Sequence, residues 1–320
     1  MTPDNPAIAG IPLVLGGNVF EWTAKGDEGL AVLDRFYEAG GRMIDTADVY
    51  SAWIDGHEGG ESESFIGRWL ETRGVRDDMR IHTKTGMLSK NKPSSPGNMG
   101  DPALYQPEEV RLALDRSLER LQTDYIDLYY AHRDFEELEI GAIVDSFDGA
   151  ARTGKVRALG ASNFKLERLS AALDYATANG RKPFVALQNQ HNLVAREDYG
   201  PALQELCTRR DIVMLPYFGL AAGYLTGKYR QPEDFNKGER GYRVKDYAEC
   251  GPAVLAVMDE IASETGSRLP AIALAWLRTV PGIPAPIASA RSVEQLDELL
   301  EFTTMELSES QVERLDAALA

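Results

Sequence analysis

The feature that most limits how this chain can fold is the steady alternation of short apolar segments with helical patterns along its 320 residues. Apolar segments of strand length fall at Arg42–Ile44, Met79–Lys84, Tyr125–Tyr130, Val156–Gly160, Phe184–Gln188, Ile212–Pro216 and Pro284–Ile287. They are short and nearly uniformly apolar, as strands covered on both faces must be. Between and after them run helical patterns at Gly29–Glu38, Glu61–Thr72, Pro107–Leu121, Ile140–Arg152, Lys165–Ala178, Tyr199–Arg209, Leu269–Leu277 and Val293–Phe302. The third opens with proline followed by two acids, a favourable first turn. Alternation of this kind implies a parallel sheet, either open and doubly wound or closed into a barrel.

The open sheet normally carries a GxGxxG turn after its first strand. The stretch Val14-Leu15-Gly16-Gly17-Asn18 has two glycines without that spacing, so the barrel is favoured. The expectation is an α/β chain folded as one (β/α)8 TIM barrel over residues 1–320, with long loops at its C-terminal face. Ser89–Gln106, rich in Pro, Ser, Gly and Asn, and the charged segment Pro232–Cys250 read as loops. A shorter one, Ser51–Gly60, follows Tyr50 and carries Trp53 and His57.

A hydrophobic content of 43% suffices for one large core, and the formal net charge is −16. Acidity of this degree argues against nucleic acid or an anionic membrane surface as a partner, yet a few local cations can still hold a polyanionic cofactor. No charged-then-apolar leader and no apolar run near membrane length is present. Cys207 and Cys250 form no CxxC pair, which reads as two reduced thiols in a cytoplasmic protein. The histidines His57, His82, His132 and His191 are scattered without ligand-like spacing, so no metal site is expected. No GxSxG nucleophile turn occurs.

The chemistry lies at the strand ends. Asp45 and Tyr50 in GGRMIDTADVY, Lys84 in RIHTKTG and His132 in DLYYAHRD each end an apolar strand. In a parallel barrel those ends converge on one face. Taken singly, Asp45 reads as a strand-end carboxylate or helix cap, Tyr50 as a packed aromatic and His132 as a hydrogen-bonded core histidine. Lys84 is harder to explain that way, because an unpaired ammonium closing an apolar strand is costly. Together the four form a proton-donor set for a carbonyl. A tyrosine hydroxyl ionises near pH 10, and a nearby ammonium held by a carboxylate favours its phenolate.

These segments resemble the aldo-keto reductase family over nearly the whole chain. GGRMIDTADVY, IHTKTG and LYYAHRDF are similar to its catalytic segments, ALGASNF and ALQNQHN to its nicotinamide segments, LPYFGLAAGYLTGKY to its stacking and pyrophosphate loop, and PIASARSVEQLDELL to its adenosine-phosphate segment. The resemblance implies Tyr50 as general acid, Lys84 lowering its pKa, Asp45 pairing with Lys84 and His132 orienting the carbonyl. It implies Ser162, Asn163 and Gln188 on the nicotinamide carboxamide and Tyr217 stacked on the ring. The pyrophosphate then falls to backbone around Gly219 and to Lys228, with Gly17 and Asn18 approaching the cofactor. Ser289, Arg291 and Gln295 fall where the family meets the 2′-phosphate, which favours NADPH with NADH as the alternative. The chain departs from the family in Phe218-Gly219 for Ser-Pro, in Ser51 for a glycine, in Leu299 for an asparagine and in His191 for an aromatic residue.

The leading expectation is therefore an NADPH-dependent oxidoreductase acting reversibly on an aldehyde, ketone or aldose carbonyl. Trp22, Trp53, Phe235 and Tyr242 are candidate walls for that small molecule. The alternatives are a cofactor-binding regulatory subunit related to channel β-subunits, and a Schiff-base aldolase using Lys84.

Overall fold

The computed structural model describes residues 5–88, 100–236 and 241–319. Eight parallel strands form one sheet: β1 Val14–Gly16, β2 Met43–Asp45, β3 Arg80–Thr85, β4 Ile126–Ala131, β5 Val156–Ser162, β6 Phe184–Gln188, β7 Val213–Met214 and β8 Ile287–Ala288. Their order, β7-β6-β5-β4-β3-β2-β1-β8, follows the chain with β8 beside β1. The remaining seam is closed by backbone bonds. Met214 N donates to Gly282 O at 2.8 Å and Ile287 N to Pro216 O at 2.9 Å. The sheet is thus a closed (β/α)8 barrel.

Around it lie α1 Gly26–Glu38, α2 Glu61–Arg73, α3 Pro107–Leu121, α4 Ile140–Ala151, α5 Leu166–Asn179, α6 Pro201–Arg209, α7 Gly241–Val244, α8 Gly251–Thr265, α9 Leu269–Leu277, α10 Val293–Leu300 and α11 Glu309–Ala317. Several elements depart from the sequence expectation. The glycine stretch after Leu13 is the first barrel strand, too short to show a pattern of its own. Two helices, α8 and α11, form where none was expected. The segment Pro232–Cys250 is helical in part, with 3-10 turns at Pro232–Asn236 and Lys245–Tyr247 flanking α7. Within the expected loop Ser89–Gln106, residues 89–99 lie outside the described residues, and Pro102–Tyr105 is a 3-10 turn.

The barrel interior is filled by Val14, Met43, Leu128, Tyr130, Ala158, Ala186, Val213, Leu215, Ala285 and Ile287. Small residues face the large ones. A Cβ on Gly160 would overlap the ring of Tyr130, so only glycine leaves that ring its place. The N-terminal end is stoppered by Ala7, whose carbonyl lies 2.8 Å from His82 Nε2. Burial lowers the pKa of His82 and keeps it neutral; because a carbonyl only accepts, Nε2 carries the proton.

Outside the barrel, α2 and α3 approach unusually closely at Gly67. A Cβ there would overlap the Arg120 carbonyl oxygen and lie 2.8 Å from the Leu121 carbonyl carbon. Both are backbone atoms and cannot rotate away. Gly67→Ala is expected to destabilise the fold by about 1–3 kcal/mol through overpacking. A thermal or urea melt reads this, and an unchanged midpoint would show that the two helices can separate without loss.

Candidate active site

Strand pleating explains which polar residues reach the mouth. In β3, His82 and Lys84 point into the barrel, whereas Thr83 and Thr85 point outward to α2 and the β2–α2 turn. Lys84 is fully buried. Its Nζ donates to Asp45 Oδ2 at 2.6 Å, to the Thr46 carbonyl at 2.8 Å and to the Tyr50 hydroxyl at 2.9 Å. An ammonium has three protons, and the three acceptors use all of them. Burial pulls the pKa of Lys84 down, and the Asp45 carboxylate opposes that shift.

Asp45 ends β2, and Tyr50 follows in the turn after it. The Tyr50 hydroxyl also lies 3.4 Å from Asp45 Oδ2, long for a bond between oxygens. Asp45 Oδ1 accepts from Gln188 Nε2 at 2.9 Å, which ties the acid to β6 on the far side of the mouth. The turn is anchored from both sides. Thr46 Oγ1 lies 2.9 Å from Ser62 Oγ, and Ser62 donates to the Gly17 carbonyl at 2.8 Å.

His132 immediately follows β4 and presents its ring edge-on to Tyr50, with centroids 6.1 Å apart. Burial, and then the Lys84 ammonium, hold its pKa well below the usual imidazole range. The ring is therefore neutral at pH 7 and can donate one N–H. All four residues expected at the strand ends thus meet at one place.

The second group adjoins the first through Gln188. Ser162 Oγ donates to the Gln188 carbonyl at 2.8 Å, and Asn163 Nδ2 donates to the His132 carbonyl at 2.9 Å. Asn163 Oδ1 accepts from the Tyr217 hydroxyl at 2.7 Å. Asn163 takes a left-handed backbone with φ of 61°, a conformation asparagine tolerates better than most residues. Burial pushes the Tyr217 pKa up to about 12, so its hydroxyl stays protonated.

A third group gathers where β1 meets β8. Ser289 Oγ donates to Asn18 Oδ1 at 2.8 Å, and a Cβ on Gly16 would overlap that same Ser289 oxygen. Gly17 packs against the Asp45 carbonyl and Ser62. Beyond Ser289, the Arg291 N–H donates to Gln295 Oε1 at 3.1 Å, and Ser292 caps α10. Arg291 itself is exposed. Gly219 is buried against Leu274 and Leu277 of α9, while Lys228 is exposed and lies over the Tyr229 ring.

The departures from the family pattern have local explanations. Ser51 adopts φ of 73°, the region that favours glycine, and its buried hydroxyl donates to the Phe20 carbonyl at 2.8 Å. That bond holds the β1 and β2 loops together, and Trp22 meets Trp53 across them with centroids 5.5 Å apart. Phe218 likewise has a positive φ of 55°, and the Arg243 guanidinium lies over its ring. His191 is buried and stacked on Trp276 in α9; burial lowers its pKa to about 4. Phe235 packs on the main core, and the side chain of Tyr242 lies outside the described residues.

Among the described residues no group of three or more His, Cys, Asp or Glu side chains forms a metal site, and no helix is long and apolar enough to cross a membrane. The acids missed by sequence reasoning are Asp48 and Glu63, both buried just behind Lys84. The signal was present, since Asp48 lies only two residues before Tyr50.

Residues 12–320 match the Aldo/keto reductase family. A putative aryl-alcohol dehydrogenase of Saccharomyces cerevisiae is 30% identical over 319 residues, which span 96% of this chain and 82% of that protein. Norsolorinic acid reductase B of Aspergillus parasiticus is 30% identical, covering 96% of this chain and 80% of its own. An NADP(+) aryl-alcohol dehydrogenase of Phanerodontia chrysosporium is 29% identical, covering 89% and 74%. With a family match over nearly its full length and these relatives, the chain belongs to the aldo/keto reductase family and is an oxidoreductase.

Proposed function

We propose that the protein reduces carbonyl groups with NADPH, that Tyr50 is the general acid and that the favoured substrates are aryl aldehydes and ketones. The observation that carries the reading is the contact of the fully buried Lys84 with both Asp45 and the Tyr50 hydroxyl in the barrel mouth. The ammonium favours the phenolate of Tyr50, so the proton leaves more readily as the carbonyl oxygen gains charge. His132, neutral, offers an N–H to orient that oxygen. Lys84 keeps its charge through Asp45, and Gln188 keeps Asp45 in place.

The residues present fit a nicotinamide dinucleotide. Ser162, Asn163 and Gln188 supply one hydroxyl and two amides at adjacent strand ends, a donor and acceptor set matched to a carboxamide. The Tyr217 ring stands beside them for stacking. Gly219, Lys228, Gly17, Asn18 and Ser289 line the route outward to Arg291 and Gln295, at the start of α10. When bound, the nicotinamide supplies the hydride that reaches the carbonyl carbon. The relative from Phanerodontia chrysosporium bears NADP(+) in its name, which supports NADPH here.

Two features favour an aromatic substrate over an aldose. The Trp53 ring stands edge-on to Tyr50 at 6.2 Å and to Trp22 at 5.5 Å, extending an aromatic wall from the catalytic hydroxyl to the surface. Trp53 remains 37% exposed, which leaves its ring open to a flat apolar substrate. Two of the relatives are named for aryl alcohols.

Loss of NADPH absorbance with a panel of aryl aldehydes, aliphatic ketones and aldoses tests the assignment. Aryl aldehydes should turn over fastest, and Tyr50→Phe should slow them by roughly the 10²–10⁴-fold typical of a lost general acid, with cofactor affinity unchanged. Near-normal turnover in that variant would remove Tyr50 from the role. Tight cofactor binding without turnover of any carbonyl would favour a regulatory subunit.

Cofactor choice rests on Arg291, the sole Lys or Arg in Ala288–Leu300. A lost charge-assisted bond costs on the order of 1.5–3 kcal/mol, about 10- to 150-fold in affinity. Arg291→Ala is expected to weaken NADPH by that order and leave NADH unaffected in fluorescence titrations. Equal losses would make Arg291 a structural residue of the loop, and a native preference for NADH would reverse the cofactor assignment.

A further inference from the structure

Behind the Lys84 cage, on the outer side of the sheet, lies a buried carboxylate cluster that the proposed mechanism leaves unused. Asp48 is 3% exposed and sits in the turn joining Asp45 to Tyr50. Its Oδ2 accepts from Thr85 Oγ1 at 2.7 Å, and its backbone N–H donates to the Lys84 carbonyl at 3.2 Å. The Thr85 carbonyl in turn accepts from the His132 N–H at 3.0 Å. A short path of bonds therefore joins the turn bearing Tyr50, the strand bearing Lys84 and the start of the loop bearing His132. The other oxygen, Asp48 Oδ1, is buried without a hydrogen-bond partner.

The surroundings of Asp48 are asymmetric in charge. Glu63 from α2 is fully buried and accepts from Thr83 Oγ1 at 2.5 Å and from Arg120 Nε of α3 at 2.6 Å. Tyr105, from the turn before α3, and Tyr129 of β4 feel the Asp48 charge, and so does Lys84. One half-buried guanidinium thus faces two buried carboxyls, already committed to Glu63. Two like charges that close to one another are not both easily ionised.

We infer that Asp48 is a positioning residue for the Lys84–Tyr50 pair: its carboxyl latches the Tyr50 turn to Thr85, and its charge opposes the pull of Lys84 on the Tyr50 proton. The inference rests on the reading of Tyr50 as general acid. Burial, and then the Glu63 carboxylate, push the Asp48 pKa up to about 7, with the Thr85 hydroxyl and Arg120 opposing. Asp48 is accordingly neutral below that pH and anionic above it. The anion supports the Lys84 ammonium but disfavours a phenolate on Tyr50, so the tyrosine holds its proton more tightly as pH rises through neutrality.

The pH profile of kcat/KM for alcohol oxidation, in which Tyr50 acts as a base, reads this directly. Asp48→Asn keeps the shape and abolishes the charge. Its apparent pKa for the catalytic base should move to lower pH, by up to about one unit, or tenfold in rate at a fixed pH on the rising limb. Thr85→Val keeps the acid and removes the bond. Its kcat should fall roughly 10- to 100-fold, as expected of a small misplacement of the reacting groups, with cofactor affinity unchanged. Because the Thr85 hydroxyl also opposes the upward shift of Asp48, the profile of Thr85→Val should change too. That readout serves even if Asp48→Asn does not fold. An unchanged profile in a folded Asp48→Asn overturns the electrostatic role, and native kcat in Thr85→Val overturns the latch. Neither outcome touches the assignment of Tyr50, which stands or falls on its own variant.

Discussion

The structure turns on one buried ammonium. Taking a lysine side chain out of water costs several kcal/mol unless its protons find acceptors and its charge a partner. Lys84, with no solvent exposure, meets both needs through Asp45, the Thr46 carbonyl and Tyr50. Each acceptor comes from the end of β2 or the turn after it. The cost of burying Lys84 therefore fixes the course of that turn, and the turn delivers the tyrosine. The interaction that makes the lysine tolerable also gives the tyrosine hydroxyl its electrostatic setting.

The rest of the site is arranged around that contact in layers. Inside the barrel, Gln188 holds Asp45 and joins it to the amide-rich group of Ser162 and Asn163. Outside the barrel, Thr83 and Thr85 point the opposite way from Lys84 and are held by Glu63 and Asp48. A period of two along one strand thus sorts the proposed catalytic group from its supports. The close approach of α2 and α3 at Gly67 belongs to the same arrangement, since it lets Arg120 reach Glu63. His132, kept neutral by burial and by Lys84, completes the mouth without adding a second positive charge.

Much of this was legible in the sequence, for reasons that can be named. Lys84 stood out because an ammonium ending an apolar strand has no bland explanation, and the barrel topology follows from the alternation of elements. The first strand escaped notice because Val14–Gly16 is only three residues long and ends in glycine. Helix α8 was legible and missed, since Val254, Leu255, Met258 and Ile261 recur at helical spacing and form its buried face, whereas the four-residue helix at Gly241–Val244 is too short to show a period. Asp48 and Glu63 were visible as residues but not as a buried pair. Their burial follows from strand pleating and helix approach, which sequence spacing does not encode. The same holds for Ser51, whose left-handed backbone is stabilised by a bond to Phe20, thirty-one positions earlier.

The central claim is that Lys84 sets the acidity of Tyr50. The most direct measurement is the pH dependence of alcohol oxidation by Lys84→Met beside the native protein, in which the tyrosine must lose its proton before it can act as base. Without the ammonium at 2.9 Å, the phenolate loses its nearest favourable charge, and the apparent pKa of the catalytic base should move upward. An unchanged profile in a folded variant that still binds cofactor would show that the contact between Lys84 and Tyr50 does not govern the chemistry.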